Sequence, residues 1–143
     1  MMKKVVVIYW SGTGNTKAMA EAVAEGCTDM EVRLLQVSEA SVDHVAEADA
    51  VAFGCPAMGS EELDDTEMEP FIASLSDNVV NKPIVLFGSY GWGNGEWMAD
   101  WEDRMLDLGA KLITEGLIIN EMPDEEGIKK CKELGKTLAK AIE

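Results

Sequence analysis

A chain of 143 residues, 47% of them hydrophobic, suits one compact domain spanning 1–143 around a single buried core. Its formal net charge of −15 argues against nucleic acid and anionic membrane surfaces as partners, and favours basic proteins met by electrostatic steering. The first apolar run, Val5–Trp10, is too short for a signal-peptide core or a membrane span. Scattered Cys27, Cys55 and Cys131 and a single histidine, His44, suggest neither a disulfide frame nor a zinc site, so a soluble cytoplasmic protein with reduced thiols is expected.

In chain order, Lys3–Tyr9 is β-branched and apolar without alternation, as expected of a central parallel strand covered on both faces. Lys17–Gly26 reads as a helix, with Met19, Val23 and Cys27 on one face and Gly26 as its stop signal. A second strand over Glu31–Val37, a short helix near Ser41–Glu47 and a third strand over Ala50–Gly54 follow. Met68, Phe71, Ile72 and Leu75 mark a helix face with Pro70 in its first turn, and Pro83–Gly88 is a fourth apolar strand. Met98, Trp101, Met105 and Leu108 mark the next helix. A last strand lies within Lys111–Asn120, interrupted near Gly116, and Ile128, Cys131, Leu134, Leu138 and Ile142 face inward from a final helix. Alternating strands and helices imply a doubly wound parallel sheet, whose ligand site lies beyond the carboxyl ends of its strands. The segments Trp10–Thr16, Cys55–Asp65, Ser89–Glu96 and the stretch after Asn120 leave those ends.

The first segment, YWSGTGNT, places Gly12 and Gly14 before a helix start that presents unpaired N–H groups and the positive end of its dipole. Such a loop holds an anion. Lys4 lies roughly 23 Å back along an extended strand, so binding rests on converging N–H and O–H donors, the dipole itself contributing only about 0.3–1 kcal/mol. The pattern is neither G-x-x-x-x-G-K-[ST] nor the dinucleotide fingerprint, and a single phosphate monoester fits it better. In GCPAMGSEELDD, Met58 sits at a loop tip, and in GSYGWGNGEW the indole of Trp92 projects from a glycine-rich, flexible loop. A thioether and an indole at one sheet edge suggest a clamp around a flat ring.

YWSGTGNT, GCPAMGSEEL, EPF and FGSYGWG, in this order, closely resemble the short-chain flavodoxins of clostridia and related anaerobes over essentially the whole chain. The resemblance implies a flavodoxin-like five-stranded parallel sheet of order 2-1-3-4-5 with helices on both faces. It further implies bound FMN and a low-potential electron carrier, not an enzyme, cycling between semiquinone and hydroquinone. Ser11, Gly12, Thr13, Gly14, Asn15 and Thr16 would then hold the phosphate, with Trp10 beside them, and Met58 and Trp92 would sandwich the ring. Gly59 would present its carbonyl to flavin N5 and Glu61 would accept from N3–H. Backbone groups near Ser60, Glu61 and Gly91 would meet the ring oxygens, and Pro56, Ala57, Ser89, Tyr90 and Gly93 complete the set. Pro56 stands where some relatives carry a serine that reaches the phosphate.

In the turn Met58–Glu61, a positive φ at Gly59 is expected over one at Ser60, which a serine resists by about 1 kcal/mol. Glu61, Glu62, Asp64 and Asp65 are the charges expected to oppose addition of the second electron. The implied partners are redox proteins with basic docking surfaces, the expected state is a monomer, and the competing reading is an FMN-dependent NAD(P)H or quinone reductase. A phosphorylated receiver module would need an aspartate where Cys55-Pro56 stands, and a cysteine phosphatase would need an arginine where Glu61 stands.

Overall fold

The computed structural model of the chain describes residues 2–59 and 61–143. Strand β1 (Lys4–Tyr9) is buried from Val5 to Tyr9, and its alternate side chains enter two separate apolar layers. Val6 and Ile8 face one layer; Val5, Val7 and Tyr9 face the other. That two-sided burial is why the run shows no polar alternation. β2 (Glu31–Gln36) and β3 (Ala50–Gly54) flank β1 in parallel, and β4 (Pro83–Tyr90) pairs in parallel with β3. The order β2-β1-β3-β4-β5 is the expected winding.

The last strand is divided. β5 (Lys111–Leu112) pairs with Pro83 and Ile84, and β6 (Leu117–Asn120) resumes beside Phe87 to Tyr90 on the same edge of β4. Between them the Gly116 N–H donates to Glu102 Oε2 at 2.7 Å and Met98 packs against Gly116, so the expected interruption becomes an excursion that makes six strands out of five.

Helices α1 (Asn15–Gly26) and α5 (Glu125–Lys140) cover one face, contributing Met19, Val23, Cys131, Leu134 and Leu138 to that layer. α2 (Val42–Glu47), α3 (Met68–Ala73) and α4 (Glu96–Asp107) cover the other, where Val45, Met68, Ile72, Trp101 and Met105 meet β1, β3 and β4. α1 begins at Asn15, inside the glycine loop and two residues before the expected start.

The short helix α2 is fastened at both ends by side chains. Lys82 Nζ donates to the carbonyls of Val45, Ala46 and Ala48, closing the carboxyl end of α2. Burial lowers the Lys82 pKa, with Asp49 opposing. His44 is half-buried and caps its own helix, its Nδ1 accepting from the Ser41 N–H at 3.0 Å. Among the described residues no helix is long and apolar enough to cross a membrane.

Candidate functional site

The four segments leaving the carboxyl ends converge on a cavity of about 240 Å³. Trp10, Gly12, Thr13 and Asn15 come from the first segment, Pro56, Ala57 and Met58 from the second, Ser89, Tyr90 and Gly91 from the third, and Glu121 follows β6. A larger concavity, about 320 Å³, opens where β1 and β2 begin, and its walls mix Lys4 and Arg33 with Glu31 and Glu47. The sheet's switch point and the glycine loop belong to the smaller one.

Gly14, with φ at 100°, turns the chain into α1. Ser11 Oγ accepts from the N–H groups of Gly14 (3.1 Å) and Lys17 (3.2 Å) and thereby caps the helix, and its own O–H remains a donor. The N–H groups of Asn15 and Thr16, in the first turn, have no acceptor within the helix. Thr16 Oγ1 is buried and has no hydrogen-bond partner among the described residues. An unpaired buried hydroxyl costs about 1–3 kcal/mol. Donors of this kind at a helix start fit a phosphate. The Trp10 ring lies against Gly12, and its indole N–H donates to Glu67 Oε1 at 3.2 Å, a partner the sequence gives no sign of.

The second segment is a hairpin. Met58 and Glu62 exchange backbone hydrogen bonds at 2.8 and 2.9 Å, so the turn closes one residue later than the expected Met58–Glu61. Gly59 has φ at 48°, the sign expected there, and Glu61 also has positive φ, at 57°. Ser60, an expected contact, lies outside the described residues. Met58 is half-buried in the cavity wall. Glu61 stands outside that wall, and its Oε1 accepts from the N–H groups of Gly95 (3.0 Å) and Glu96 (3.3 Å) at the start of α4.

Asp64, expected among the charges facing the site, is only 3% exposed and starts α3. Its Oδ2 accepts from Glu67 N–H (2.7 Å) and Met68 N–H (3.0 Å), and its Oδ1 from the Thr66 hydroxyl (2.9 Å). Desolvation pushes its pKa up, but these hydrogen bonds together hold it below the ordinary value. Beside it, burial pushes the Cys55 thiol up to about 12, which keeps it in the thiol form and suits a packing residue at the end of β3.

Trp92 is 67% exposed and rises from the third segment outside the cavity wall. Two of the glycines near it, Gly93 and Gly95, meet specific geometric demands. Gly93 and Gly95 have φ at 91° and 85°, and a β-carbon on Gly93 would collide with the Glu61 carboxylate. Glu121 carries no sequence signal of its own, although it lies in the stretch after Asn120 that leaves the sheet's carboxyl edge. It adopts φ at 58°, its N–H donates to Tyr90 O and its carbonyl accepts from Ser89 Oγ, both at 2.8 Å.

The flavodoxin family model matches residues 7–135. The flavodoxin of Megasphaera elsdenii is 48% identical over 96% of this chain and 99% of its own length, and that of Clostridium beijerinckii 43% over 93% and 97%. The solution structure of the two-electron reduced Megasphaera elsdenii flavodoxin superposes with a TM-score of 0.87 at 47% identity, covering 95% of this chain and 98% of that one. An archaeal flavodoxin gives 0.87 at 32% identity, covering 97% and 98%. Fold, strand order, glycine loop and full-length identity converge: the chain belongs to the flavodoxins, electron carriers that bind FMN.

Proposed function

We propose that residues 1–143 form one FMN-binding domain, that the loop Ser11–Thr16 takes the phosphate, and that Met58 and Trp92 cover the two faces of the ring. The observation that carries this reading is the buried Thr16 hydroxyl without a partner among the described residues, beside two first-turn N–H groups that lack helical acceptors. Bound there, FMN supplies a redox centre that exchanges electrons one at a time. The chain supplies the rest.

Gly12 lines the cavity, Gly14 turns the chain so that the first-turn N–H groups of Asn15 and Thr16 can meet the phosphate, Trp10 walls the loop, and Pro56 and Ala57 line the tail with apolar surface. Gly59 tolerates either orientation of its peptide, so its carbonyl can turn toward a protonated ring nitrogen without steric penalty. Exposed Glu62 and Asp65, near the hairpin and within a chain of net charge −15, oppose further negative charge and thereby lower the potential. Asp64 contributes little to that effect, because its charge is answered by the start of α3. The same acidic surface favours cytoplasmic redox partners with basic docking faces, engaged by a monomer.

The test is titration of the FMN-free protein with FMN and with riboflavin, followed by stepwise dithionite reduction read by absorbance. The reading requires tighter binding of FMN than of riboflavin, two resolved one-electron steps, and no bleaching by NAD(P)H. Equal affinity for the two flavins overturns the phosphate assignment, and NAD(P)H bleaching favours the reductase.

A further inference from the structure

We propose that Glu61 couples the two halves of the ring clamp by tying the Met58 hairpin to the Trp92 loop. The inference rests on the FMN reading above and adds a role to a residue so far considered only for the ring N–H.

α4 begins with Gly95 at its N-cap, a residue with no side chain of its own to cap the helix. The cap arrives from 34 residues earlier, where Glu61 Oε1 accepts from the Gly95 and Glu96 N–H groups at 3.0 and 3.3 Å. A carboxylate at a helix start is favoured by both the unpaired donors and the dipole. The glycine spacing is built around this bridge. Gly93 and Gly95 hold left-handed φ, and the carboxylate passes so close to Gly93 that no side chain fits there. Trp92 lies one residue before this crossing, and Met58 lies three before Glu61 on a hairpin closed by the Met58–Glu62 pair.

Oε1 bears both hydrogen bonds to α4, which leaves Oε2 for the ring edge. One carboxylate therefore sets the spacing of thioether and indole before the ring enters, and ring binding in turn tightens the start of α4. Such linkage is reciprocal.

Two measurements test this. In FMN-free protein, amide hydrogen exchange at Gly95 and Glu96 is expected to be at least fivefold faster in Glu61→Ala than in wild type, with Glu61→Gln, which keeps an acceptor oxygen, close to wild type. In a double-mutant cycle of Glu61→Ala and Trp92→Ala, the loss of FMN affinity in the double mutant is expected to fall at least threefold short of the product of the single losses. Unchanged exchange in Glu61→Ala overturns the coupling and leaves the FMN reading standing. So does a strictly multiplicative cycle. A wild type that takes up no FMN removes the functional reading and the coupling with it.

Discussion

The Ser89 hydroxyl donates to the Glu121 carbonyl at 2.8 Å, tying the end of β4 to the turn that follows β6. Glu121 holds a left-handed φ, which for a non-glycine residue costs roughly 1–2 kcal/mol, and Ser89 is 3% exposed. Ser89→Ala removes the donor and lets the strained turn relax away from the rim. The FMN-free protein should lose about 1 kcal/mol in equilibrium urea unfolding, and FMN affinity should fall as well. A variant identical to wild type in both would show that the rim does not need this bond.

Thr16→Val separates stability from binding. The hydroxyl it deletes is buried without a partner among the described residues, so removing it should leave the FMN-free protein unchanged or up to about 1 kcal/mol more stable. A hydrogen bond to a charged phosphate is worth about 1.5–3 kcal/mol, so FMN affinity should fall roughly ten- to hundredfold. Riboflavin, which lacks the phosphate, should bind both forms equally. Titration calorimetry with the two flavins checks this, and an equal loss for both would detach Thr16 from the phosphate.

What the sequence made legible is what depends on near neighbours. The unalternating Val5–Tyr9 run declares a strand buried on both sides, and the helical faces of α1, α4 and α5 follow from their own spacing. The phosphate loop is equally local, since Gly12, Gly14 and the helix start lie within a few residues of one another. The rest depends on which distant segments meet. Glu61 and Gly95 are joined only once the second and third loops are folded side by side, and Glu121 reaches the cavity only because β6 returns to the edge of β4. Asp64 sits in a run of acids whose charges are expected to face the site; only the placement of α3 makes it a buried cap.

Two glycines flanking Trp92 should respond in opposite ways to alanine. Gly91 has ordinary backbone geometry, and an added β-carbon would lie 3.4 Å from Glu121 Oε1, a distance a mobile carboxylate accommodates. Gly91→Ala should therefore be neutral, or stabilising by a few tenths to about 1 kcal/mol through the unfolded chain. Gly93→Ala meets both a φ of 91° and the Glu61 carboxylate, and should destabilise by about 2 kcal/mol or more. Thermal unfolding of the FMN-free variants distinguishes them, and equal melting temperatures would contradict the packing at Gly93.

Acid sensitivity should be traceable to Asp64. Its folded-state pKa lies below the ordinary carboxylate value because the hydrogen bonds from Met68, Glu67 and Thr66 outweigh desolvation. A depressed carboxylate pKa contributes stability that is complete above the unfolded value near 4 and disappears as pH falls through the folded value. Replacing Asp64 by Asn keeps an acceptor for one or two of these N–H groups but removes the charge, so at pH 7 the variant should be less stable by about 1–2 kcal/mol. As the pH is lowered from 5 toward 2, the wild type should lose that advantage while the variant's stability changes less, and the two urea midpoints should converge. Midpoints that stay the same distance apart across this range would mean that the Asp64 charge does not hold the start of α3.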